Sequence, residues 1–220
     1  MKNINKKKPR ARSKAQKANN FQQILEVGKD LFVDSGPDAL TMRKLAKHLN
    51  MTQTFLYTYV QSKRELWIAI RKKYFNNYSI NFDRIVKKHK GTMVDLLMKL
   101  VEHFLNYANE DFNRFQIMFI IPIPFSKKIG PIEKKYQQSG FLEKLKDIIK
   151  TAMEAKEIKE RNLFEFTYLL WSLVFGIATT EIYFKFKSPL LEKMKKHPAS
   201  FTKESYRECS LKEIRNLLGK

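Results

Sequence analysis

Cysteine is nearly absent from the 220-residue chain, with Cys209 the single one. An internal disulfide is thereby excluded, and the usage fits a reducing cytosol. Glycine and proline are scarce too, seven of each. That is few for the turns of an all-β chain, whereas Leu, Lys, Glu, Ile and Met abound and favour helices. Acidic residues are missing from the first twenty positions. No apolar run follows this basic start, so no secretory signal is expected. The four histidines (His48, His89, His103 and His197) are scattered, and none pairs with Cys or Asp at metal-ligand spacing. A Gly-rich phosphate loop, a nucleophile elbow and a partnered carboxylate pair are also lacking. The expectation is therefore no enzyme, no cofactor and no metal.

What is present is basic and apolar in helical rhythm. Hydrophobic residues make up 43%, and the length suffices to bury a sizeable core in one large or two small domains. The formal net charge is +21. Residues 1–20 supply +8 through Lys2, Lys6, Lys7, Lys8, Arg10, Arg12, Lys14 and Lys17, residues 21–65 supply +1, and residues 66–220 supply +12. A surplus of this kind favours polyanions and makes their binding salt-sensitive, unless the lysines are simply solvated. Residues 1–19 read as a disordered basic arm. Arg10 and Arg12 within it could follow a narrow A·T-rich minor groove, or the arm could be a solubilising tail.

Beyond the arm the spacing predicts helices throughout. The first runs from about Asn20 to Ser35 with Phe21, Ile24, Leu25, Leu31 and Phe32 as its stripe, and Gly36-Pro37 stops it. Further helices are expected over about 63–89, 93–110, 113–121, 131–155, 161–186 and 202–218. Phe119 to Phe125 has β-like composition but two prolines, which makes it a loop. Leu163 to Phe184 is long enough to span a membrane, yet Glu165 and Glu181 within it would be costly in lipid. A buried helix, apolar nearly all round and lying at a subunit interface, explains it better.

The stretch Ala39 to Glu65 carries the most information. Leu40, Leu45, Ala46 and Leu49 share one face of a short helix for which Thr41 is the candidate N-cap. Asn50 tolerates the left-handed conformation of a tight turn. Thr52 caps a second short helix to about Val60, with Leu56 and Val60 inward and Gln53, Thr54, Tyr57, Thr58 and Tyr59 on or near its other faces. Ser62-Lys63-Arg64-Glu65 is a capping box that opens the next helix. Two short helices at a steep angle, the second with a polar face, suit insertion into the DNA major groove.

This segment resembles the TetR family of bacterial transcriptional regulators. The residues that carry the likeness are Thr41-Met42-Arg43-Lys44-Leu45-Ala46, Phe55-Leu56-Tyr57-Thr58-Tyr59-Val60 and Ser62-Lys63-Arg64-Glu65-Leu66, after an upstream helix ending Leu31-Phe32-Val33-Asp34-Ser35-Gly36. The likeness is specific over about residues 20 to 70 and loose beyond.

The resemblance implies an all-α fold with an N-terminal three-helix domain containing a helix-turn-helix (20–66) and a C-terminal helical ligand-binding and dimerisation domain (67–220). It implies that Gln53, Thr54 and Tyr57 approach base edges and phosphates, with Thr52, Thr58 and Tyr59 nearby. Arg43 could reach a guanine, and Thr41 and Lys63 match positions near phosphates. The bland alternative has Tyr57 packed inward and Arg43 and Lys63 solvated. Two positions depart from the family pattern: Thr54 stands where a small residue is frequent and Phe55 where Thr or Ser is usual, so base preference cannot be copied from relatives.

Leu170 to Gly176 is similar to a tryptophan–histidine–glycine signature of some TetR ligand domains, with Phe175 in place of the histidine. Trp171 and Phe175 suit core or dimer packing as well as a ligand contact. His103, Tyr107, Phe115, Met118, Phe119 and Trp171 are the candidates to line an effector cavity, with ordinary core as the alternative.

The implied partners are a near-palindromic double-stranded operator, a second copy paired through about 161–186 and 202–218, and a small apolar or amphipathic effector such as a fatty acid or acyl thioester. Repression is the family's usual mode, and the cytoplasm its place. A chromosome-organising protein without a ligand is the rival reading. A regulator that answers to a protein partner, its cavity filled by side chains, is another.

Overall fold

The computed structural model describes residues 14–136, 140–185 and 201–219. Among these residues there is no strand, as an all-α chain requires. The described chain divides into two compact units, one of residues up to Ile70 with Ile121–Tyr136, the other of Arg71–Ile120 with the chain from position 137 on.

The first unit is built on α1 (Lys14–Ala39), α2 (Met42–His48), α3 (Gln53–Leu56) and the start of α4 (Lys63–Lys88). Its core gathers Ile24, Phe32, Leu40, Leu45, Leu56, Val60, Leu66 and Trp67, each with essentially no exposed surface. Gly28 lets α1 lie close on α4, because a Cβ there would stand 3.1–3.2 Å from Leu66 and Ile70 side-chain carbons.

The disordered arm expected through residue 19 is corrected in part: α1 begins at Lys14, six residues early. Asn20 explains the extension. It is buried, accepts from Gln16 (3.0 Å) and donates to the Tyr59 hydroxyl (3.1 Å), which ties the preceding turn down. Arg10 and Arg12 lie outside the described residues. The regular helix ends at Gly36, whose φ of 72° belongs to the left-handed region.

The second unit packs α5 (Met93–Glu110) against α8 (Phe141–Glu154), α9 (Leu163–Lys185) and α10 (Lys203–Leu218). Four sequence expectations are adjusted. The short helix expected over 113–121 is one α-turn, α6 (Phe112–Phe115), followed by a π-helical turn, Gln116–Ile120. The single helix expected over 131–155 is interrupted: α7 (Pro131–Lys134) stops, and α8 restarts after Gly140. The second short helix, α3, expected to run to about Val60, closes at Leu56, and the chain tightens to Tyr59 through Thr58 N–H to Phe55 O (3.1 Å) and Tyr59 N–H to Leu56 O (3.0 Å). Lastly, α9 is not covered all round, because Phe164, Tyr168, Leu169, Leu173 and Tyr183 are exposed in the single chain.

The acidic residue inside α9 is met within the protein. Glu181, fully buried, accepts two bonds from Arg207 of α10 (2.6 and 2.8 Å) and one from Asn109 of α5 (2.5 Å). Arg207 also donates to Asn106 (2.8 Å), so one carboxylate holds three helices together. By length and composition Leu163–Phe184 could still cross a membrane, but its packed side and this ion pair account for it inside a helical domain.

Candidate nucleic-acid interface and effector core

The helix-turn-helix is assembled by local hydrogen bonds. Thr41 caps α2 by accepting from Lys44 N–H (3.1 Å), and Thr52 caps α3 by accepting from Phe55 N–H (3.1 Å). Asn50 turns the chain with φ 49°, and Met51 N–H closes back on Ala46 O (2.9 Å). With Leu45, Ala46, Leu56 and Val60 buried, the outer side of the turn and of α3 is polar.

Gln53, Thr54, Tyr57 and Thr58 are exposed there together with Arg43 and Thr41. Tyr57 points outward at 44% exposure. The Thr58 hydroxyl donates to Phe55 O (2.6 Å). Tyr59 behaves differently. Its ring stacks on Phe21 (6.3 Å, 11°) and meets the edge of Phe55 (5.2 Å, 82°), while its hydroxyl accepts from Asn20. It therefore braces α3 against α1, and the unusual Phe55 is absorbed by that packing behind the polar face. Lys63 is half-buried at the head of α4.

The capping box at α4 is only half formed. Ser62 Oγ accepts from Glu65 N–H (3.0 Å), but the Glu65 carboxylate passes over the N-cap to accept from Gln61 N–H (2.6 Å) and Ile132 N–H (2.7 Å).

The second unit is centred on interlocking rings. Phe104 meets Trp171 (5.0 Å) and Phe115 (5.9 Å); Phe119 meets Phe75 (5.4 Å), Trp171 (5.7 Å) and Phe175 (6.3 Å); Trp171 meets Phe141 (5.0 Å). Within them lies a cavity of about 30 Å³, lined by Tyr78, Phe82, Leu97, Leu100, Val101, Phe104, Phe141, Leu145, Leu170, Trp171 and Val174.

Of the six residues expected to line a cavity, Trp171 does. Phe115 and Phe119 belong to the surrounding rings. The Tyr107 hydroxyl reaches the Tyr74 carbonyl (3.3 Å) and Met118 Sδ (3.4 Å), while His103 stacks on Tyr78 (5.3 Å, 12°). The α5 stripe Leu97, Leu100, Val101 and Phe104 was legible as core; its helical period carries no mark that separates a cavity wall from filled core.

Burial sets the titration of this region. It pushes the Tyr107 hydroxyl up to about 12, against the opposing Arg114 guanidinium 3.6 Å from the ring centre. Burial raises Tyr78 further still and lowers His103, whose Nε2 is sealed from solvent without a hydrogen-bond partner. At neutral pH His103 is thus an uncharged group with one unused polar atom.

Two short capped helices joined by a left-handed turn, polar outside and buried behind, define a helix-turn-helix DNA-binding domain, here in one chain with an all-helical second domain. Residues 24–70 match the model of the bacterial regulatory proteins of the tetR family. Residues 24–70 thus form the DNA-binding domain that TetR-family transcription regulators share. The chain is similar in fold to FadR of Bacillus subtilis in complex with stearoyl-CoA (TM-score 0.65, 16% identity, 87% of this chain and 97% of that one). AibR in complex with isovaleryl coenzyme A and operator DNA is similar as well (0.62, 16%, 91% and 98%). So is a tetR-family regulatory protein of Rhodococcus RHA1 (0.63, 15%, 91% and 97%). At these identities the likeness carries the fold alone. Among curated proteins none matches the sequence.

Proposed function

We propose that this chain is a homodimeric repressor that binds a near-palindromic operator and leaves it when an acyl thioester, or a related apolar effector, enters the second domain. The DNA half of the reading is supported by one observation above others: Gln53, Thr54 and Tyr57 are exposed together on α3 and its C-cap, while Leu56 and Val60 behind them have no exposed surface. Amide and hydroxyl groups held on a rigid base are what base edges require, and Arg43 adds a fork that can bond a guanine at O6 and N7. Lys63 acts on a phosphate, and Arg10 and Arg12 of the arm follow a narrow minor groove. The basic surplus supports association with DNA and makes it salt-dependent.

The effector half is supported by the ring cluster and its apolar cavity. About 30 Å³ is room for little more than one water. An acyl group therefore enters only if rings such as Phe119 or Trp171 swing aside, and that displacement is a natural trigger. Stearoyl-CoA and isovaleryl coenzyme A in the neighbours FadR and AibR support the ligand class. His103 Nε2, uncharged and unpartnered, suits a neutral carbonyl such as that of a thioester. The dimer is supported by the exposed face of α9, where Phe164, Tyr168 and Leu173 run beside Gly176, above which there is open space. A second α9 could approach closely there.

Selection of bound duplexes from a random pool by the purified protein tests the reading. An inverted repeat is the expected result, followed by its release on adding acyl thioesters of graded length. Recovery of A·T-rich DNA without symmetry, and no release by any of them, would replace the reading with that of a chromosome-organising protein.

A further inference from the structure

Glu65 has no exposed surface, and its carboxylate is met by backbone N–H groups from two distant parts of the chain. Gln61 N–H, one residue before the cap of α4, bonds Oε2, and Ile132 N–H bonds Oε1. Gly130 lies so near that a Cβ on it would collide with both oxygens. Beside it, Arg64 Nε donates to Glu133 Oε1 (2.5 Å). Positions 130, 132 and 133 of one segment thus fit two consecutive residues at the head of α4. A buried carboxyl oxygen that loses its donor is left unpaired at a cost, so the segment cannot slide freely over Glu65.

That segment, Ile121–Tyr136, belongs to the first unit by its packing although it follows the ring cluster in sequence. It begins where the π-turn Gln116–Ile120 ends, and Phe119 of that turn touches Phe75, Trp171 and Phe175. A π-turn holds one residue more than an α-turn. If a ring of the turn is displaced and that residue is expelled, the following chain moves by about 1.5 Å along the helix axis.

We propose that the strap Ile121–Tyr136 is a working part of the DNA-binding unit, and that the Glu65–Gly130 latch carries the state of the ring cluster to the recognition turn. Glu65 and Gly130 are then positioning residues for DNA binding: Gln61 and Ser62, which they hold, follow directly on Val60. The proposal rests on the reading that the ring cluster is the effector site. It adds a route distinct from tilting of α4 as a whole.

The test uses the full chain without DNA or effector and reads amide hydrogen exchange at residues 45–62. Phe119→Leu disturbs the ring cluster at its contact with the π-turn. It should change exchange across 45–62 about fivefold while Glu65 is present, and leave it unchanged in the Glu65→Ala background. Gly130→Ala should disturb the same amides, yet add nothing in Glu65→Ala, where the carboxylate that the added carbon would strike is gone. Should Glu65→Ala unfold the first unit, Glu65→Gln keeps the volume and one carbonyl acceptor, and should give an intermediate response. An equal effect of Phe119→Leu with and without the Glu65 carboxylate would overturn the proposal and leave the coupling to α4. Because no DNA enters the measurement, a chain that selects no operator but shows this dependence would sink the functional reading and leave the latch standing.

Discussion

Tyr57 and Tyr59 stand two residues apart on one turn and face opposite duties. Tyr57 is free to meet a base or phosphate, so Tyr57→Ala should cost about 1–3 kcal/mol in operator affinity, read by titration of the selected duplex, with the melting temperature nearly unchanged. Tyr59→Phe removes the acceptor of Asn20 and should lower stability by about 1 kcal/mol in chemical denaturation while the fold is kept. His103 gives a pH signature. Burial holds its folded pKa below its ordinary 6.5, so as pH falls through 6.5 the unfolded chain takes up the proton first and stability is lost. Stability rises again with pH up to that value. His103→Gln should flatten the dependence of the melting temperature between pH 7.5 and 5.5, and an unchanged slope would remove His103 as its source.

At the scale of elements, the turn between α2 and α3 rests on Asn50 in the left-handed region. Asn50→Ala should destabilise the first unit by about 1 kcal/mol, and Asn50→Gly should be close to neutral, as measured by denaturant unfolding. This turn, its two threonine caps and the buried leucines were legible in the sequence because each depends on residues a few positions away. The π-turn at Gln116–Ile120 and the break before Gly140 were not, since the apolar period of 113–121 and 131–155 continues across both. Nor was the true partner of Glu65. The S-x-x-E pattern names a local acceptor, whereas the carboxylate is shared with Ile132, 67 positions away in sequence. Glu181 is similar: the sequence showed a charge in an apolar helix, and only the arrival of Arg207 from α10 shows how it is neutralised. Glu181→Ala should cost about 3 kcal/mol, because Arg207 and Asn109 lose their acceptor together.

For the molecule as a whole, the proposed dimer would cover the exposed apolar face of α9. Leu173→Glu should convert the sedimenting species from dimer to monomer and weaken the response to an inverted repeat more than the response to a half-site. A variant that stays dimeric would move the interface elsewhere. Operator affinity should also fall steeply with salt, in keeping with a net charge of +21. The interleaving of residues 121–136 with the N-terminal unit bears on how such regulators are recombined. A chimaera that takes its first seventy residues from this chain and the remainder from a relative would inherit the Glu65 carboxylate but not the segment that receives it here. Exchange of reading heads between proteins of this fold should therefore succeed when the internal segment travels with the head, and otherwise leave a foreign strap resting on a buried carboxyl group.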